Sequence, residues 1–172
     1  MSRALLALFL VATLNACGFH LRGAAGSDLP YASMYVALPE TAEVRVWLER
    51  YLKGSTRTAV AEDAKTATVT FQQLSDARDK SILSIDARGR VREYRLQLHY
   101  RFRLVDAQGR EIVAPQEIAM NRDFTYDDSQ VLSKSLEENL LWRDMTNDLV
   151  NQIMRRLNRI KPKDPNAEEG DD

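Results

Sequence analysis

Residues 91–105 read VREYRLQLHYRFRLV, and the alternation within them decides the fold. Tyr94, Leu96, Leu98, Tyr100, Phe102 and Leu104 take every second place, with Arg95, Gln97, His99, Arg101 and Arg103 between them. Side chains on a strand point to opposite faces in turn, so this is a β-strand with one face in a core and the other carrying a polar, basic ladder. Like charges on one face repel, so the ladder predicts acidic or polar groups on the adjacent strands or on a partner.

Working outward, Asp106-Ala107-Gln108-Gly109-Arg110 reads as a glycine-containing hairpin turn. Glu111 to Phe124 is the return strand, with Ile112, Ala114, Ile118, Met120 and Phe124 in period two. Pro115 has no N–H to give a ladder, which makes this strand an edge or puts a bulge there. Upstream, Thr66 to Phe71 alternates and predicts another half-buried strand, and Met34 to Leu38 predicts a short one stopped by Pro39.

Two stretches have helical period. From about Thr41, Val44, Trp47, Leu48, Tyr51 and Leu52 share a face, with Gly54 placed as a left-handed cap. From about Ser129, Leu132, Leu136, Leu140, Leu141, Met145, Leu149, Ile153 and Leu157 recur roughly every four residues, ending before Lys161-Pro162. Asp127, Asp128 or Ser129 suits the first turn as a cap. At 1.5 Å per residue this helix is about 45 Å long, more than one small sheet needs, so an end is expected to overhang. The order β-α-β-β-β-α, with strands polar on one face, predicts an α+β two-layer sandwich: two helices on one face of a mainly antiparallel sheet of about four strands.

The first residues carry a different signal. Arg3 precedes an apolar run, Ala4 to Leu14, of the length of a secretory signal and too short to span a bilayer, which takes roughly 20 residues. It ends in Leu14-Asn15-Ala16-Cys17, the arrangement of a bacterial lipobox, and Cys17 is the single cysteine of the chain. The expectation is cleavage before Cys17, an S-diacylglycerol and N-acyl lipid on that residue, and no thiol left for redox chemistry. Several acyl chains hold a protein on a membrane where one binds only reversibly. Gly18 after the cysteine favours the outer membrane, with the domain on its periplasmic side. The division read from the sequence is 1–16 signal peptide, 17–30 lipidated N-terminus and tether, 31–160 one α+β domain, and 161–172 a disordered acidic tail.

Charge is balanced, 24 Lys+Arg against 25 Asp+Glu, so composition proposes no nucleic-acid partner. Catalysis finds no constellation. His20 and His99 are the only histidines and assemble neither a metal site nor a nucleophile and base. Asp127-Asp128 and Glu137-Glu138 read as a helix start and a solvated face, and the Gly89 and Gly109 turns form no phosphate loop. The chain therefore reads as a binding and assembly protein with no enzymatic activity, cofactor or metal. Arg88, Arg90 and Arg92 cluster at a turn, and Lys134 lies in the first turns of the last helix, where amide donors favour anions. A solvated turn balanced by acids and a phosphate site for lipopolysaccharide both fit that cluster.

The stretch Cys17-Gly18-Phe19-His20-Leu21-Arg22-Gly23 resembles the start of the mature chains of the LptE family of lipopolysaccharide-assembly lipoproteins. Arg92-Glu93-Tyr94-Arg95-Leu96 is similar to the family's Glu-Tyr at the head of a long strand, and Arg122-Asp123-Phe124 to its segment before the last helix. The resemblance implies a plug inside the LptD outer-membrane β-barrel that supports the barrel's assembly and helps present lipopolysaccharide to the outer leaflet. It places the family's basic helix residue on Lys134. In the turn it falls on Ala87, with Arg88 next to it and Arg90 and Arg92 following. The other readings are a pilotin-like or chaperone lipoprotein for a different outer-membrane pore, and an envelope hydrolase, which the missing catalytic constellation disfavours.

Overall fold

The computed structural model describes residues 29–55 and 57–160. Its centre is the strand at residues 91–105. In chain order the elements are β1 (Ser33–Ala37), α1 (Glu43–Ser55), β2 (Ala59–Val60), β3 (Val69–Ile85), β4 (Val91–Val105), β5 (Glu111–Thr125), a 3-10 turn (Asp128–Gln130) and α2 (Val131–Arg159). The sheet runs β2-β1-β3-β4-β5. β1 is parallel to both its neighbours, while β3, β4 and β5 form an antiparallel meander.

The fold is the expected α+β class, with both helices on one face of the sheet, but the sheet is mixed and has five strands. β2 is two residues long and carries no period that could announce it. The alternating residues Leu96, Leu98, Tyr100, Phe102 and Leu104 are all fully buried, and they pack with Phe71, Leu48, Leu52, Leu149 and Ile153 in one apolar core. Burying each such side chain contributes about 1.5–3 kcal/mol. Leu29 and Tyr31 already belong to this core, so the packed domain includes the residues just before β1.

On the other face the basic ladder finds its counterparts on neighbouring strands. Arg95 makes a two-pronged bond to Asp123 at 2.7 and 2.9 Å, His99 lies 3.3 Å from Glu117, and Arg103 donates to Gln72. The Arg95 guanidinium holds the Asp123 carboxyl below the usual carboxylate range. Pro115 meets both expectations: β5 is an edge strand, and its register with β4 shifts between the pairs Phe102–Gln116 and Leu104–Val113.

β3 differs most from the sequence reading. It continues fourteen residues past Phe71, to Ile85, and spans about 55 Å. β1 pairs only with Val69 to Gln72, so from Gln73 onward β3 has β4 on one side and a free edge on the other among the described residues. Its helix-facing positions there are Asp76, Arg78 and Lys80, opposite Tyr100, Leu98 and Leu96. Their partners are polar or aromatic: Arg78 lies over the Trp142 ring at 5.8 Å, and Lys80 meets Glu138 at 2.5 Å and the Tyr94 ring at 4.2 Å. No apolar period marks this stretch because charged side chains take the helix-facing places.

Only the second half of the last helix packs on the apolar core. Met145, Leu149, Ile153 and Leu157 are fully buried, whereas Leu132, Leu136 and Leu140 are more than half exposed. The repeat breaks at the five-residue step from Leu140 to Met145, which turns the apolar stripe about 140° around the helix. The first half of α2 is held down by polar pairs instead. Asp127 caps the preceding turn, accepting from the Ser129 N–H at 2.9 Å and from its hydroxyl at 2.7 Å. Gly54 lies inside the last turn of α1, and the only described glycines with positive φ are Gly89 and Gly109.

Candidate functional site at the distal end of the sheet

The chain enters β1 beside the start of β3, so the β3–β4 turn lies at the far end of the sheet from that entry. This distal end holds the basic residues singled out above. The turn Asp86-Ala87-Arg88-Gly89-Arg90 is built around one carboxylate. Asp86 Oδ1 accepts from the N–H groups of Arg88 and Arg90 at 2.8 and 3.0 Å, and its Oδ2 accepts from Arg90 Nε at 2.9 Å. These bonds, the Arg90 N–H foremost, hold the Asp86 carboxyl below its ordinary range. Gly89 takes φ +77°, as the residue after a tight turn in such a hairpin must.

The β4–β5 turn, Asp106-Ala107-Gln108-Gly109-Arg110, repeats the design bond for bond. Asp106 accepts from Gln108 N–H, Arg110 N–H and Arg110 Nε at 2.9, 2.8 and 2.6 Å, with Gly109 at φ +81°. Arg110 stands at the opposite end of β4 from Arg90 and does the same work. Closing the turn is thus what occupies the Arg90 guanidinium in this structure. Arg88 replaces Gln108 in the comparison, and its side chain makes no hydrogen bond or ion pair with the described residues.

Beside this turn, an open cleft of about 520 Å³ runs between the strand ends and the first turns of α2. Arg92 and Lys134 both line it, together with Ser84, Glu93, Tyr126, Asp127 and Gln130. The structure therefore brings two of the four sequence-predicted cations to one cleft and leaves Arg88 and Arg90 on the adjoining turn. Lys134 is largely covered, with its side chain 17% exposed, and Nζ donates to Glu137 Oε2 at 2.8 Å and Thr125 Oγ1 at 3.2 Å. Asp127 is kept ionised by the Ser129 N–H and hydroxyl, with the charges of Arg92 and Lys134 adding to the effect.

Sequence reasoning missed Glu137 as the partner of Lys134, although a spacing of three on a helix signals such a pair. It also missed the acids across the cleft. The result is a nearly charge-balanced site in which Lys134 is paired with Glu137. Among the described residues no three His, Cys, Asp or Glu side chains converge to hold a metal, and no helix is long and apolar enough to cross a membrane. Cys17 and the stretch around it lie outside the described residues.

A long polar-faced sheet, helices on one side only and shallow clefts with paired charges define a binding domain. The family model described as LptE, lipopolysaccharide-assembly, matches residues 31–157, and the chain belongs to that family. Uncharacterized lipoprotein B from Nitrosomonas europaea, solved by solution NMR, is similar at 37% identity over 82% of this chain and 90% of its own, with a TM-score of 0.70. Two further structures share the fold. The minor lipoprotein from Acinetobacter baumannii is 24% identical over 80% and 99% of the two chains, at a TM-score of 0.66. The rare lipoprotein B from Shewanella oneidensis is 23% identical over 73% and 92%, at 0.63. No curated protein sequence matches the chain. Family membership makes this a lipopolysaccharide-assembly lipoprotein of outer-membrane biogenesis.

Proposed function

We propose that this protein is the lipid-anchored partner of an LptD-type outer-membrane β-barrel, which it plugs and helps to assemble, and that it binds lipopolysaccharide at its distal end. The observation that carries the reading is the family match across the whole packed domain, residues 31–157. In this reading residues 1–16 are a signal peptide, Cys17 carries the N-acyl and S-diacylglycerol lipid, the stretch 17–30, which ends where Leu29 packs into the core, tethers the domain to the periplasmic side of the outer membrane, and 161–172 are a disordered acidic tail. Lys134 and Arg92 in the cleft, with Arg88 and Arg90 on the turn, contact lipid A phosphates, for which arginine forks are suited.

One observation favours the alternative, a pilotin-like or chaperone lipoprotein for another outer-membrane pore: Lys134 is already paired with Glu137, which leaves less free positive charge for phosphates. The deciding experiment is purification of the full-length chain from outer membranes through a C-terminal tag, with identification of what is attached. A large barrel of the LptD type is expected, and the barrel should misfold when this protein is depleted. A different pore would favour the alternative, and a free monomer would overturn both. Lipopolysaccharide binding is checked with Arg88, Arg92 and Lys134 replaced by Glu, which should weaken it while barrel association persists. Cys17→Ala should release the protein from membranes only when the barrel is absent.

A further inference from the structure

A series of aromatic rings leads from the core to the cleft that holds Arg92 and Lys134. Phe124 is its buried end and belongs to the core. Tyr94 stacks on Phe124 with ring centres 5.8 Å apart, and Tyr126 meets Tyr94 edge to face at 5.1 Å and 83°. Lys80 braces the series from the side, its Nζ 4.2 Å from the Tyr94 ring and 5.5 Å from that of Phe124. Tyr126 is the half-buried outer end, and it lines the cleft together with Arg92 and Lys134. Its N–H donates to the Arg92 carbonyl at 2.8 Å, so the backbone carrying the ring is tied to the backbone carrying that cation. Edge-to-face contact leaves at least one face of the Tyr126 ring unstacked. No other aromatic ring or cation among the described residues lies over it.

The rest of the lining decides which part of an anionic lipid such a cleft would take. Ser84, Glu93, Thr125, Asp127 and Gln130 are all polar, so an acyl chain finds no apolar channel there. A bare anion would use the cations and leave the ring idle. A phosphorylated sugar uses every feature: the phosphate meets Arg92 and Lys134, hydroxyl and amide groups meet the polar lining, and the C–H face of the pyranose packs on the ring. Tyrosine suits that place because it offers a large rigid contact area at low entropic cost.

Resting on the reading of lipopolysaccharide as ligand, we propose that Tyr126 is the saccharide platform of this cleft: its ring packs against a phosphorylated glucosamine of the lipid headgroup while Arg92 and Lys134 hold the phosphate. The test uses the full-length protein and three probes. They are the bisphosphorylated glucosamine disaccharide without acyl chains, hexa-acylated lipid A, and tetraethylene glycol bisphosphate, in which a flexible ether spacer replaces the sugars. The wild-type protein should bind the disaccharide at least about fivefold more tightly than the glycol bisphosphate. Tyr126→Ala should erase that difference by weakening the disaccharide alone, and should weaken lipid A by a similar factor. Tyr126→Phe keeps the ring and should bind all three probes nearly as the wild type does. Equal binding of disaccharide and glycol bisphosphate by the wild type overturns the proposal and leaves the phosphate site standing. An alanine variant that keeps the difference overturns it as well, and so does one that weakens both probes equally, which marks a purely structural ring. A phenylalanine variant as weak as the alanine one overturns it by assigning the effect to the hydroxyl. A loss for the disaccharide with lipid A unaffected overturns it by showing a site for free sugar phosphates. Binding of none of the probes overturns the lipopolysaccharide reading and this inference together.

Discussion

Lys134 and Glu137 face each other one turn apart on α2, Nζ to Oε2 at 2.8 Å, with the lysine side chain mostly covered and the glutamate open to solvent. An anionic ligand at Lys134 competes with a carboxylate that is tethered beside it. Such helix pairs contribute only about 0.2–0.5 kcal/mol, so the competitor is weak and displaceable. Glu137→Gln should therefore raise affinity for lipid A by about twofold, and Lys134→Ala should lower it. Both effects should shrink as salt is raised, because screening acts on exposed charges. Titrations at two ionic strengths check this.

The two hairpin turns supply a prediction about the frame that holds the site. Gly89 and Gly109 have φ of +77° and +81°, and a Cβ added at either would meet no atom within 4 Å. The cost of a side chain there is thus backbone conformation alone. Gly89→Ala and Gly109→Ala should each destabilise the fold by about 1–2 kcal/mol, and Gly89→Asn by less, because asparagine tolerates the left-handed region. Urea unfolding of the three variants measures it.

The halves of α2 should respond to different extents to the same substitution. Leu149 is fully buried, and Leu149→Ala should cost about 2–5 kcal/mol through lost burial and the cavity left behind. Leu140 is over half exposed, and Leu140→Ala should change stability by less than about 0.5 kcal/mol. The polar clasp on the first half is local. Lys80→Ala removes the bond to Glu138 and the contacts over Tyr94 and Phe124, and should raise amide exchange at residues 131–140 without affecting residues 145–157.

β4 was legible because one face of it is buried for most of its length, and β5 because Ile112, Ile118 and Phe124 are buried in the same core, so burial wrote its period into the sequence. The distal part of β3 was not, since Asp76, Arg78 and Lys80 take the places that an apolar alternation would have filled. The leucine repeat of α2 was visible as a repeat, but the five-residue step from Leu140 to Met145 turns its two halves to different faces, and only the second half meets the core. At the site, the residue types of Lys134 and Arg92 were readable and their shared cleft was not, because it forms only when the end of β5 meets the start of α2. Arg90 read as a ligand-binding cation, and the structure shows that its guanidinium also closes the turn. The repeated Asp-Ala-x-Gly-Arg pattern, present in the chain twice, was the available clue to its part in the turn.

Acid should loosen the distal end through its carboxylates. Asp127 sits below its ordinary pKa because the Ser129 N–H and hydroxyl bond its ionised form, and Arg92 and Lys134 favour it further. Asp123 is lowered by Arg95, and Asp86 chiefly by the Arg90 N–H. A group whose folded pKa is depressed stabilises the fold above its unfolded value, about 4, and loses that contribution as pH falls through the folded value. The melting temperature should therefore hold from neutrality to about pH 5 and decline below pH 4. Asp127→Asn separates charge from capping, because asparagine also caps helices well. Its melting temperature should lie below that of the wild type at pH 7 and converge with it near pH 2. A constant difference across that range would mean that the lowered pKa of Asp127 contributes nothing to the acid sensitivity.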